Sequence, residues 1–348
     1  MGSMHESPRR TDARNSNGVR RLGAALHSTS FRPGRWGIIL AGGDGTRLLP
    51  LTRRMTGDDR PKQFCSVLGG DTLLQQTQRR VGQIVRVHQT LLVLTKKHEP
   101  FYKDQVSDLP PSHLVIQPQN QGTAVAILYS LLRLEELDPS GLVAFFPSDH
   151  HFENDDALAN HINSAFAAAE SQPDLVILLG IVPETPEVEY GWIQPDGRVD
   201  HHLPDALMHV NRFWEKPAPA LASALMDQGC LWNSFVMVGR IGAFLNLIRR
   251  NLASLAEAFE ALRPNLLTAS EPAAVRALYS AVPPSNFSTE VLSTSASNLA
   301  VLRTHGLGWS DLGEPGRVLS VVRRKEARTA WDFDSIAGKS AKAKSVCG

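Results

Sequence analysis

The sequence predicts an α/β protein: a three-layer, Rossmann-like, mostly parallel mixed sheet flanked by helices. Three observations predict it. Apolar runs of strand length, such as "WGIILAG" from Trp36 and "GLVAFFP" from Gly141, are continuous rather than alternating, as strands covered on both faces must be. They alternate with segments of helical periodicity, the order expected of βαβ units. Glycine-rich or polar residues follow these runs directly, where a doubly wound sheet places its ligands.

In chain order, "WGIILAG" is the first strand, and after a glycine-rich loop "TLLQQTQRRV" (Thr72–Val81) is a helix with its leucines on one side. "TLLVLTKKH" (Thr90–His98) and "HLVIQP" (His113–Pro118) are strands, the second leading into a helix from Thr123 to Leu137. "GLVAFFPSDH" is a strand ending on polar residues, "DALANHINSAFAAAE" a helix and "DLVILLG" (Asp174–Gly180) a strand. Beyond Gly180, "EYGWIQPDGRVD" reads as a hairpin turning near Asp196–Gly197, and "MHVNRFWEKP" as a strand ending at Lys216–Pro217. "PALASALMDQG" is a helix, "LWNSFVMVG" a strand, "AFLNLIRRNLASLAEAFEAL" one or two helices, and Asn298–Thr304 the last strand. No Gly/Ser/Pro-rich linker and no internal repeat divides the chain. One domain over residues 31–327 is therefore expected, its second half completing the sheet and laying an antiparallel flap over the edge. Residues 1–30 read as a tag or leader and 328–348 as a fraying tail.

The 348 residues carry 36 Lys plus Arg against 35 Asp plus Glu, a balance that creates no field for polynucleotide or an acidic membrane. Cys65, Cys230 and Cys347 are too few and scattered for a disulfide framework or a cysteine zinc site, and their odd number fits a reducing compartment. No apolar run reaches the roughly 18 residues of a membrane span, and the arginine-rich start has no secretory apolar core, so a cytoplasmic location is expected.

The stretch "LAGGDGTRLLP" (Leu40–Pro50), followed by "RPKQF", concentrates chemistry. Gly42, Gly43 and Gly45 let a ligand approach the backbone, whose amides can hold anionic oxygens. Arg47 offers a bidentate phosphate fork and Lys62 a compact positive charge. A tight glycine turn with two surface cations satisfies the same residues. The loop lacks both the GxGxxG spacing and the Lys-Ser/Thr end of a P-loop, which disfavours a dinucleotide redox enzyme and a P-loop ATPase.

Six segments in order then carry a resemblance. "LAGGDGTRLLP" with "RPKQF", "QPQNQGTAVAI", "FFPSDH", "FWEKP", "LWNS" and "GWSDLG" resemble the motifs of the sugar-1-phosphate nucleotidylyltransferases, most closely the mannose-1-phosphate guanylyltransferase branch. The resemblance implies transfer of a nucleotidyl group from a nucleoside triphosphate, with GTP leading, to a sugar 1-phosphate, with mannose 1-phosphate leading, releasing pyrophosphate. It implies Mg²⁺ held by Asp149 and Asp311, and Arg47, Lys62 and Lys216 as catalytic cations. Nucleotide contacts would come from Leu40, Gly42, Gly43, Gly45, Thr46, Gln117, Gly122 and Thr123, and sugar contacts from Gly191, Glu215 and Asn233. Gly122 also reads as a plain helix-start turn. A homodimer is the assembly considered, and no nucleic-acid partner or membrane span is expected. About 37 residues after Asp311 are too few for the β-helix or isomerase domain that many relatives carry.

The resemblance frays on the sugar side. Phe235 stands where the family has glycine, Glu290 replaces an aspartate, and Ser295–Ala296 replace a Glu-Lys pair. In the opening loop Asp44 replaces serine and Leu49 replaces tryptophan. Two further readings are weighed: a transferase for another sugar 1-phosphate such as glucose or a heptose, and a catalytically silent binder of nucleotide sugar. The second has no chemical use for both carboxylates and both lysines.

Overall fold

The computed structural model describes residues 34–197 and 207–326. Expectations for residues 1–30, for the tail from 328 and for Cys347 lie outside them. Cys65 and Cys230 are free and buried.

The first half follows the predicted alternation. Strands β1 (Arg35–Leu40), β2 (Thr90–Thr95), β3 (Leu114–Gln117) and β4 (Leu142–Pro147) are joined through helices α1 (Leu49–Thr56), α2 (Leu73–Gly82), α3 (Glu99–Tyr102) and α4 (Thr123–Leu137). The pairings β1–β2, β1–β4 and β2–β3 are parallel. Helix α2 starts on a capping box: Thr72 accepts from the Gln75 amide, and the Gln75 side chain accepts from the Thr72 amide.

The apolar runs are continuous because successive residues feed opposite cores. Ile38, Val143 and Phe145 enter one cluster with α4 and with α7 (Ile241–Asn251), α8 (Ala253–Glu260) and α9 (Glu271–Ala281). Ile39, Ala144 and Phe146 enter the other with α2 and α5 (Asp155–Ser171). Ile38 and Ile39 are wholly buried, each such side chain stabilising by roughly 1.5–3 kcal/mol.

The second half corrects the prediction of an open, mostly parallel sheet. Strands β5 (Val176–Ile181), β6 (Gly191–Pro195), β7 (Leu207–Glu215), β8 (Leu231–Arg240) and β9 (Leu299–Thr304) complete a nine-stranded sheet in the order β3-β2-β1-β4-β8-β5-β9-β7-β6. Pairings β4–β8, β5–β8, β6–β7, β6–β8 and β7–β9 are antiparallel, and only β5–β9 joins the three parallel pairs of the first half. Because β6 also pairs with β8, through Trp192↔Trp232 and Ile193↔Leu231, the strands β8-β5-β9-β7-β6 close into a five-stranded ring. Among the described residues no flap lies over an edge; β6 and β7 are a wall of that ring. The physical reason is that β8 is almost wholly buried, and such a mostly apolar segment reads the same whichever way it points.

The hairpin expected within residues 189–200 is replaced by a wider pairing of β6 with β7, the segment read as a further strand, and the turn is not tight at Asp196–Gly197. The Asp196 amide still donates to the His209 carbonyl (2.7 Å), and the connection runs through residues 198–206, outside the described ones. Helix α6 (Pro219–Asp227) links β7 to β8, α10 (Phe287–Glu290) precedes β9, and a helix over residues 315–326 follows the last site loop.

Gly122, which precedes α4, has φ +88° and ψ 172°, a region open essentially to glycine alone. A Cβ there would lie 2.2 Å from the Ser285 carbonyl oxygen. Gly122→Ala is expected to destabilise by at least about 3 kcal/mol. A thermal melt checks this; an unchanged midpoint would show that the Ser285 segment yields freely.

Candidate active site

The β1 end is shaped by hydrogen bonds that pull carbonyls out of the way. Gln63 Nε2 donates to the Ala41 (3.2 Å) and Gly43 (2.7 Å) carbonyls, and Thr95 Oγ1 donates to the Gly42 carbonyl (2.8 Å). Among the described residues the amides of Gly42, Gly43, Asp44 and Gly45 have no hydrogen-bond partner, so the loop offers donors. Gly45 has φ +60°, and a Cβ on it would crowd the Lys62 amide at 3.3 Å. Asp44, the residue in place of the family serine, pairs with Lys97, with His98 (3.3 Å) and with Asn120 (3.1 Å), clamping the loop to the ends of β2 and β3.

This loop forms part of a cleft of about 410 Å³. Leu40, Gly42, Gly43, Arg47, Gln117, Gly122 and Thr123 line it from β1, β3 and α4; Gly191, Glu215 and Asn233 from the ring; and Asp149 and Asp311 from the loops after β4 and β9. Gly45, Thr46 and Lys62 line an adjoining recess that also contains Arg47 and Asp149. Lys216 lines neither, yet its Nζ lies 3.5 Å from Glu189 Oε2, the same oxygen that accepts from Arg47 (2.9 Å).

Gln117 is buried, and its Oε1 accepts from the Tyr279 hydroxyl (3.1 Å). Its Nε2 is held toward Gly42, where a Cβ would come within 2.5 Å of it. Gly122 lines the cleft, but the close neighbour that requires glycine there is Ser285. Glu215 is held above the usual carboxylate range: burial raises it more than Lys216 and the Ser288 hydroxyl lower it.

Asp149 and Asp311 are 162 positions apart in sequence, and the loops that carry them meet through backbone hydrogen bonds. His151 and Ser310 exchange backbone hydrogen bonds (2.8 and 3.0 Å) as an isolated antiparallel pair. Lys62 completes the join. Its buried Nζ donates to the Asp311 (2.5 Å) and Leu312 (3.1 Å) carbonyls and lies 3.4 Å from Asp149 Oδ2.

Asp311 Oδ1 accepts from the Tyr190 hydroxyl (3.0 Å), the Gly313 amide (2.9 Å) and Arg317 (2.8 Å). Its Oδ2 carries no hydrogen bond among the described residues. Burial pushes the carboxyl up, but His150, Arg317 and Lys62 more than offset this and hold it below the usual range. Arg317 also pairs with Glu187 (2.8 Å) and lies 4.5 Å above the Tyr190 ring. His150 is pushed below its ordinary value by burial, against the opposing pull of Asp149 and Asp311. Its Nδ1 accepts from the Trp309 indole N–H (3.3 Å), which leaves the proton on Nε2.

Glu189, Tyr190, His150 and Arg317 were missed by sequence reasoning. "EVEY" did stand just before a predicted strand, but nothing in it marked one acid as facing two distant cations. Among the departures, Glu290 is structural: its Oε1 accepts from the Ser285 hydroxyl (2.9 Å) and the Asn286 amide (2.6 Å). Ser295 is buried and accepts from Asn251 Nδ2 (2.7 Å). Phe235 lines the cleft with φ +60°, and its amide donates to Asn233 Oδ1 (3.1 Å).

A triphosphate-sized anion is what such a cleft can receive: free loop amides, Arg47 and two carboxylates line it, Lys62 lines the adjoining recess, and Lys216 is tied to Arg47 through Glu189. A model of the nucleotidyl transferase family matches residues 36–327, and the chain belongs to that family. It is 31% identical to the alginate biosynthesis protein AlgA of Pseudomonas aeruginosa over 221 residues, which are 63% of this chain and 44% of AlgA. It is 29% identical to the xanthan biosynthesis protein XanB of Xanthomonas campestris over 303 residues, 86% of this chain and 62% of XanB. It is 28% identical to the mannose-1-phosphate guanylyltransferase ManC of Salmonella typhimurium over 287 residues, 79% of this chain and 57% of ManC. The chain thus spans about half the length of the curated relatives it matches. Among solved structures, the mannose-1-phosphate geranyltransferase of Thermus thermophilus superposes with a TM-score of 0.69 at 28% identity, over 80% of this chain and 76% of that one. The mannose-6-phosphate isomerase of Helicobacter pylori shares the fold, with a TM-score of 0.62 at 21% identity over 80% and 99% of the two chains. No helix among the described residues is long and apolar enough to cross a membrane.

Membership implies a divalent-metal-dependent reaction. No group of three or more His, Cys, Asp or Glu side chains suited to a metal gathers among the described residues. The donor set nonetheless fits a hard ion that takes one or two protein carboxylates and completes its shell with substrate phosphate and water. Asp149 and Asp311 share the cleft, and Asp311 is anchored through Oδ1 with Oδ2 left over.

Proposed function

We propose that this cleft transfers a nucleotidyl group from a nucleoside triphosphate, GTP first, to a sugar 1-phosphate, mannose 1-phosphate first, giving a nucleotide sugar and pyrophosphate. The observation that carries the reading is the gathering of Arg47, Asp149 and Asp311 on one cleft beside unpaired loop amides, with Lys62 in the adjoining recess and Lys216 linked to Arg47 through Glu189. The likeness to ManC supports the choice of base and sugar.

The loop amides and the Arg47 fork bind the triphosphate oxygens, and Lys62 lies where charge gathers on the departing pyrophosphate. Gln117 and the Gly42–Gly43 backbone meet the base, with the amide nitrogen as donor. Lys216 grips the sugar phosphate and turns an oxygen toward the α-phosphorus. Glu189 holds Arg47 and Lys216 together until substrate phosphate takes its place. No strong general base is required, because a phosphate oxygen is already anionic near neutral pH. Asp149 and Asp311 would hold Mg²⁺, which supplies neutralisation of phosphate charge when bound. Gly191, Glu215 and Asn233 offer polar groups to the sugar hydroxyls.

Pyrophosphate release across a matrix of nucleoside triphosphates and sugar 1-phosphates tests this. Turnover highest with GTP and mannose 1-phosphate is expected. If no pair turns over while a nucleotide sugar binds tightly, the chain is a silent binder.

Phe235 makes sugar choice a separate question. A left-handed backbone costs a residue with a side chain about 1–2 kcal/mol, and the ring occupies cleft wall. Phe235→Gly relieves the backbone and opens the wall, while losing part-buried packing. The expected result is a little-changed melting temperature and about tenfold higher kcat/KM, worth about 1.4 kcal/mol, for an N-acetylated sugar 1-phosphate. Unchanged selectivity would show that the ring does not contact the sugar.

A further inference from the structure

A second, smaller recess of about 320 Å³ shares no lining residue with the cleft. His151, Arg80, Arg79, Lys325 and Gln76 line it, together with Phe152, Glu153 and Asp155. His151 is only 4% exposed, and both of its ring nitrogens are buried with no hydrogen-bond partner among the described residues. Buried polar atoms are rarely left so, and each orphan needs an account. Arg80 is likewise buried, at 3% exposure. Its Nε donates to Asp155 Oδ1 (2.6 Å) and its guanidinium lies 5.0 Å from the Phe152 ring centre, but its two terminal nitrogens have no hydrogen bond among the described residues.

The acids here are already engaged. Asp155 pairs with Arg80, Glu153 with Arg324 (3.2 Å), and Arg79 reaches out to Asp71. Three cations, two carboxylates and a histidine whose ring nitrogens have no hydrogen-bond partner among the described residues thus line the recess. Donors arrive from α2, from the loop after β4 and from the helix over 315–326. Convergence from several sides suits a compact ion with acceptor oxygens all round better than a flat carboxylate.

We infer that this recess is a binding site for a small phosphate-type oxyanion, held by the Arg80 fork, the His151 ring and the Lys325 ammonium, and separate from the cleft. The site is defined by binding alone, so it stands or falls independently of the reaction proposed above.

The test is titration of the full chain with inorganic phosphate, followed by calorimetry or phosphorus NMR. Arg47→Ala/Lys216→Ala weakens the cleft's hold on phosphate, and the recess is expected to keep binding in that background. Adding His151→Phe, or separately the exposed Lys325→Ala, should weaken the remaining binding about tenfold or more. Lys325→Ala guards against a folding defect in the histidine variant, and thermal melts report on both. If the cleft-disabled chain binds no phosphate, or if both recess variants bind as well as their parent, the recess holds water only and the inference is overturned.

Discussion

Asp149→Asn is expected to lower turnover about a thousandfold, or about 4 kcal/mol of transition-state stabilisation, while leaving the melting temperature close to that of the parent. Asp149 is partly exposed, and its ionic partner Lys62 retains two carbonyl acceptors when the carboxylate is gone. Its other ionic neighbour, His150, stands 3.9 Å away. Asp311→Asn should cut turnover as deeply but also lower stability, because Asp311 is buried and holds Arg317, Tyr190 and the Gly313 amide on one oxygen. An amide oxygen can still accept those bonds, but it leaves a buried guanidinium to Glu187 (2.8 Å) and the more exposed Glu314 (3.7 Å). Breaking buried pairs is costly, in the range of about 3–5 kcal/mol when no partner remains. Pyrophosphate release and a denaturant melt on both variants separate the two effects. Undiminished turnover in Asp149→Asn would remove that residue from the metal site.

Lys62→Met should be harmful on both counts. Methionine matches the stem in length but strands the Asp311 and Leu312 carbonyls in a buried place, at about 1–3 kcal/mol each. It also leaves the carboxylate-bearing loops without the ammonium that joins them. Under the proposed reaction, in which that charge stabilises the departing phosphates, catalysis should fall by about two to three orders of magnitude. Lys62→Arg should not restore it: the guanidinium fork cannot present one compact donor to two carbonyls and a carboxylate. Steady-state assays beside urea melts give both readings. Turnover within about tenfold of the parent would assign Lys62 a purely structural task.

Legibility in the sequence tracked the kind of signal. The parallel half could be read because each βα unit repeats one pattern: a buried run, a polar loop, then a helix with a capping signal, as at Thr72. The glycine loop could be read because close approach leaves a local trace. Strand direction left none: in "LWNSFVMVG" burial on both sides erased the alternation, so the closure of β6 onto β8 stayed hidden. Pairings of charge over long separations were hidden for a related reason. Arg317 and Glu187, or Glu189 and Lys216, lie far apart in the chain, and neither member of a pair carries a local trace of the other. Gly122 shows both outcomes at once: the residue could be singled out, but the neighbour that demands it, Ser285, lies more than 160 positions away.

The bridge between His151 and Ser310 gives the protein a temporal property. Its two sides are separated by nearly half the chain, and closing so long a loop can be repaid only after the intervening strands have docked. A nascent or partly refolded molecule with a finished glycine turn would thus remain inert until its last strand and the loop beyond it are in place. Recovery of activity during refolding should accordingly lag behind recovery of secondary structure.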